Sequence, residues 1–227
     1  MADTLQQLAA DGRDYSEKEK LYGLLYNPLG IIYDLSLRQV HKPVDSYIRD
    51  WMHILVSGGV ANSQMLGLKD ALQKEAGIPM SVVRDYSVQW TLPKQYGNVS
   101  PTWLDDARFE GDSFTSFASY LLTLIPIIGA FLVDNVRAHN VIEDHIECFL
   151  LLGMIVGLLS SGADFACQHL TLLAEYIVKH HKLYVRLYPG KYIKTKFHQM
   201  LHLPETYQRL KKVLSCFAAT TWFVDTV

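Results

Sequence analysis

Two pairs of residues in this sequence have the types and spacing to do chemistry. The first is His198 and His202, within Lys191-Tyr-Ile-Lys-Thr-Lys-Phe-His-Gln-Met-Leu-His-Leu-Pro204. A spacing of four puts both imidazoles on one face of a helix. Lys191, Lys194 and Lys196 lead into that helix, so a cationic approach precedes a histidine-bearing apolar segment. Such lysines can hold a phosphate backbone, and they can equally form a solvated surface. The two rings, with His180 or His181 added, carry the donor type that zinc takes, although packing is the ordinary use of such histidines. The second pair is Asp50 and His53, three apart in Asp50-Trp-Met-His53. A carboxylate beside a histidine can ligand a divalent metal or orient a base. The same spacing fits a helix cap at Asp50, with His53 packed against Trp51 or Trp90.

The elements that must position these residues read as helices. Asp3 to Leu25 has helical periodicity and is broken by Asn27-Pro28-Leu29-Gly30. Ile31 to Leu37 alternates like a short strand. Asn62 to Ala76 is amphipathic, with Met65, Leu66, Leu68 and Leu72 inward, and Gly77-Ile-Pro79 ends it. Pro93, Gly97 and Pro101 make the segment before Trp103 loop-like and mark a boundary between parts 1–100 and 101–227. Two apolar runs follow, Phe114 to Val133 and Ile146 to Ala163. A membrane span needs about 20 apolar residues; Pro126 interrupts the first run, and the second is nearer to about 16. No Lys/Arg cluster flanks either run closely, so both are expected as central buried helices. Cys167 to Tyr188 reads as one helix closed by Pro189-Gly190, and Glu205 to Phe217 as another.

Composition bounds the partners. The 227 residues are 49% hydrophobic and carry a net charge of −2, which predicts no strong global attraction to a polyanion. The charge is uneven, however. Residues 179–212 are basic, including Lys211 and Lys212, with Glu205 as their one acid, whereas residues 103–147 are acidic. Three scattered cysteines, Cys148, Cys167 and Cys216, form neither a disulfide framework nor a zinc pattern, and fit buried thiols in a reducing compartment. The polar Met1 to Lys20 has no apolar core of a secretory signal.

Several motifs together resemble CACTA (En/Spm)-type transposases and related transposon-derived proteins. Asp50-Trp-Met-His53 is similar to that family's Asp-Pro-Met-His or Asp-Trp-Met-His element. Tyr188-Pro-Gly-Lys-Tyr-Ile-Lys194-Thr-Lys196-Phe-His198-Gln-Met-Leu-His202-Leu-Pro204 is similar to its Lys-Pro-Lys-[Phe/His]-His-x-x-Leu-His-[Leu/Tyr]-Pro element. Leu214 to Phe217 resembles the segment before its Glu-Arg-x-His. The resemblance covers pieces from about Tyr22 to Phe217. It implies an RNase-H-like acid-triad enzyme that cuts DNA with two divalent ions, Mg2+ or Mn2+. Asp50 would be one catalytic and metal-binding acid and His53 its neighbour. Lys191, Lys194, Lys196, His198, His202, Lys211 and Lys212 would form the nucleic-acid-binding face. There are departures. The upstream aspartate of the family has no counterpart assigned here. Thr195 replaces the usual proline, and Ala-Ala-Thr-Thr-Trp222 follows Phe217 where Glu-Arg is expected. Glu110 and Asp112 remain candidates for a third acid.

The expected fold is mainly α, an irregular helical bundle with two central apolar helices and at most a short strand near residues 31–37. The expected function is a transposase-derived, degenerate module with weak DNA binding, not catalytically competent alone, intracellular and nuclear if it binds DNA. The alternative is a two-span integral membrane protein.

Overall fold

The computed structural model describes residues 2–22, 26–27, 33–34, 36, 50–93, 98–111, 114–189 and 195–209. The chain divides into two units, residues 1–48 and 49–227. The boundary expected near residue 100 falls inside the second of these.

In the first unit the expected single helix is two, α1 (Ala2–Ala10) and α2 (Ser16–Tyr22). Gly12 separates them at φ +66°, a backbone state that only glycine enters without strain. Asp14 then accepts the Ser16 amide at 2.9 Å, which restarts the helix. The expected strand at 31–37 is corrected where it is described. Tyr33 lies in a turn and Ser36 is helical, because the Asp34 carboxylate accepts both the amide and the hydroxyl of Ser36, at 2.9 and 2.6 Å. The rest of that run lies outside the described residues, among which there is no strand.

The second unit is a helical bundle. It runs α3 (Trp51–Leu55), α4 (Val60–Lys74) and α5 (Met80–Ser87), then two 3-10 turns, Pro101–Leu104 and Asp106–Phe109. Next come α6 (Ala118–Phe131), α7 (Glu143–Ser160), α8 (Ala163–Gln168), α9 (Leu170–Leu187) and α10 (Thr195–Leu201), with residues 203–209 helical after it. The helix expected from Cys167 is interrupted at His169, so α8 and α9 are separate.

Both apolar runs are helices that pack on each other, as α6 and α7. Leu121, Leu124 and Ile128 of α6 are wholly buried, as are Leu152 and Ile155 of α7. Pro126 sits within α6, where it withholds one backbone donor from the ladder without ending the helix. The helical run continues through a π-turn (Leu132–Val136) and a 3-10 turn to Asn140, whose φ of +54° closes it. Ala118–His139 is long and apolar enough to cross a membrane, at 22 residues and mean hydropathy 1.7, with 50% of the window buried. Among the described residues no second helix meets that standard. The acids at the start of α7, Glu143, Asp144 and Glu147, set it apart.

α7 and α9 form an antiparallel hairpin. Asp144 pairs with Arg186 at 2.8 Å and Glu147 with Lys179 at 2.6 Å. The Asp144–Arg186 pair joins the first turn of one helix to the last turn of the other, so it also suits the helix dipoles. The acidic middle and basic end of the sequence are thus partly spent on each other. α4 crosses this hairpin through a close contact. A Cβ on Gly67 would lie 2.4 Å from the Tyr188 ring, so only glycine lets the phenol lie on the backbone there.

Candidate functional site

Asp50 and His53 belong to α3. The Asp50 carboxylate caps the helix, accepting the Met52 amide at 2.8 Å, and its other oxygen meets His53 Nδ1 at 2.6 Å. The His53 bond, reinforced by the backbone amides, holds the Asp50 carboxyl below the usual carboxylate range against a smaller burial effect. Both side chains are open to solvent, 55% and 71% exposed. The capping role is therefore present, but His53 pairs with Asp50 rather than packing into an aromatic pocket.

α3 ends in a turn that chain chemistry dictates. Gly58 has φ +60°, and a Cβ on Gly59 would lie 2.2 Å from the Ile54 carbonyl oxygen. The Lys196 ammonium of α10 donates to the Ser57 carbonyl at 2.7 Å, just past the end of α3. A cation at a helix C-terminus satisfies an otherwise orphaned carbonyl and matches the dipole. α10 packs along α3, and Phe197 and Met200 supply its buried face. On the outward side, His198 and His202 approach Nε2 to Nε2 at 3.3 Å. His202 Nδ1 lies 3.4 Å from Glu205, whose other oxygen accepts from Arg209 at 2.6 Å. The Arg209 bond first, and His202 second, hold the Glu205 carboxyl low. Tyr207, in the following helical segment, is buried and its phenol is pushed up to about 12, by burial first and then by Cys167 and Asp50.

The structure thus brings Asp50, His53, Lys196, His198 and His202 onto two packed helices. Lys191, Lys194, Lys211 and Lys212 lie outside the described residues, as does Asp112. Glu110 is exposed beyond the second 3-10 turn. Among the described residues no group of three His, Cys, Asp or Glu side chains is gathered as a metal site. Ser57, Glu205 and Tyr207 escaped sequence reasoning. The i, i+3 spacing of His202 and Glu205 and the i, i+4 spacing of Glu205 and Arg209 could have signalled one of them.

The second unit has two further features. A buried polar layer joins α4, α7 and α9. His180 Nε2 meets Gln64 Oε1 at 2.7 Å, and the Tyr188 hydroxyl meets His145 Nδ1 at 2.8 Å, with Glu75 3.5 Å from the other nitrogen of that ring. Burial lowers His145 despite Glu75 and pushes His180 down to about 3, so both rings are neutral near pH 7. Burial also pushes the Cys148 thiol up to about 12, against the Gln64 amide beside it, which makes it inert. Second, an open apolar groove of about 1180 Å³ runs between α6 and α7, with Trp103, Tyr120, Gly153 and Gly157 in its lining.

No family model, no curated protein and no solved structure matches this chain.

Proposed function

We propose that this chain is a transposase-derived helical module that holds the backbone of DNA on the face that carries α3 and α10. The observation that supports it is the packing of α3 on α10, sealed by the 2.7 Å bond from Lys196 to Ser57. These are the two elements that carry the transposase resemblance. They are 139 residues apart at that bond. The cations that meet phosphate on this reading are Lys191, Lys194, Lys211 and Lys212 of the basic segment, which lie outside the described residues, together with His198, which is exposed. Lys196 is a structural cation. The module binds without cutting, because one carboxylate, Asp50, cannot hold the two divalent ions that strand cleavage needs.

Fluorescence anisotropy with a labelled duplex tests the reading. Affinity should fall steeply between about 50 and 200 mM salt, and the slope should shrink when Lys191, Lys194, Lys211 and Lys212 become glutamine. Absence of binding at the lower salt, or a slope unmoved by the substitutions, contradicts it. Asp50-dependent cutting of DNA with Mg2+ or Mn2+ overturns the non-catalytic part.

A second reading, a membrane-associated protein, is favoured by Ala118–His139 and by the exposed apolar side chains around it, Phe117 at 66% and Val133 at 41%. It rests on one helix rather than a hairpin of two. Flotation of the full chain with neutral phosphatidylcholine vesicles distinguishes it from attraction to a charged polymer.

A further inference from the structure

We infer that His198 and His202 form a two-point clamp for a divalent transition-metal ion of the imidazole-binding class, distinct from any Mg2+ or Mn2+ site at Asp50. Two Zn–N bonds at a tetrahedral angle set their nitrogens about 3.3 Å apart. The two Nε2 atoms stand 3.3 Å apart, with ring planes at 77°. The separation of the two nitrogens therefore suits one ion between the rings.

The outer groups favour the same state. His202 Nδ1 faces Glu205, and Arg209 anchors that carboxylate from the far side. A proton on Nδ1 pointing at Glu205 leaves the lone pair on Nε2, toward His198. Carboxylate–histidine–metal relays are built this way, and the carboxylate also raises the basicity of the ligand. The Arg209 guanidinium is paired with Glu205 at 2.6 Å. Both rings have a solvent-facing side, so water fills the remaining coordination positions. The ligands that the protein supplies are both imidazole nitrogens. They therefore select Cu2+ over Zn2+, and both over Mg2+ and Mn2+.

The test is calorimetric titration of the full chain, without DNA, with zinc chloride, copper chloride and magnesium chloride in turn. One Zn2+ per chain is expected, with tighter Cu2+ and no Mg2+ uptake. His198→Ala and His202→Ala should each weaken Zn2+ by at least tenfold, and Glu205→Gln by about tenfold. Melting curves of each variant establish that it is folded. Should a variant fail to fold, electron paramagnetic resonance of Cu2+ on the unmodified chain decides: coupling to two imidazole nitrogens supports the clamp. Another nitrogen count, no Zn2+ binding, or Zn2+ binding that persists in a folded His198→Ala/His202→Ala chain overturns it. None of these readouts depends on DNA, so their failure leaves the DNA reading to its own experiment.

Discussion

The Lys196 ammonium donates to the Ser57 carbonyl at 2.7 Å and so ties α10 to the end of α3. A half-buried charge-assisted bond of this kind contributes about 1.5–3 kcal/mol, and Met at 196 would leave the carbonyl without its cation. Lys196→Met is expected to lower the midpoint of urea unfolding accordingly. A midpoint unchanged within error would mean that the lysine is not holding the two helices.

Gly67 and Tyr188 make the second joint. Alanine at 67 gains about 1 kcal/mol of helix propensity. It also drives a methyl to 2.4 Å from the ring, and overpacking of this kind costs typically about 1–3 kcal/mol. The steric loss should win, so Gly67→Ala is expected to be destabilised in denaturant titration. Tyr188→Phe keeps the ring and removes only the hydroxyl on His145, and its loss should be near 1 kcal/mol.

Stability should fall in mild acid. His180 is wholly buried, beside Gln64 and His181, and its folded pKa of about 3 lies below the ordinary histidine value. Its contribution is therefore fully present above about pH 6.5 and is lost as pH falls toward 3, because only the unfolded chain takes the proton in that window. Burial depresses His145 in the same direction. Unfolding free energy measured from pH 7 to pH 4 should drop for the natural chain and drop less for His180→Gln. Equal slopes would contradict a neutral buried imidazole.

The ion pairs between α7 and α9 bear on the polyanion reading. Asp144→Asn and Glu147→Gln release Arg186 and Lys179, both solvent-exposed. Exposed pairs contribute at most about 1 kcal/mol, so the double variant should remain folded. Its affinity for duplex DNA should rise and its salt dependence steepen. An affinity lowered by the substitutions would argue against electrostatic capture.

Much of the helical content was legible because apolar spacing and Gly/Pro breaks act locally. Asn62 to Ala76 and both apolar runs announce their helices in this way, and Asp50 announces its cap. The strand expected from Ile31 to Leu37 failed where described, because Asp34 offers its carboxylate to Ser36 and alternation does not register that competition. The basic block was legible as charge but not as free charge. Lys179 and Arg186 find carboxylates, and Lys196 a carbonyl, only after folding brings partners within reach, whereas Arg209 meets Glu205 at the local i, i+4 spacing. The contact of His198 with His202 follows from helical spacing, whereas the contact of α10 with α3 is tertiary and left no local trace.

The most direct measurement of the central claim is amide hydrogen exchange of the full chain with and without duplex DNA at low salt. Slowed exchange is predicted in residues 50–58 and 195–209, the two helices joined by Lys196 and Ser57. Slowing confined to residues 118–139, or no change anywhere, would contradict it.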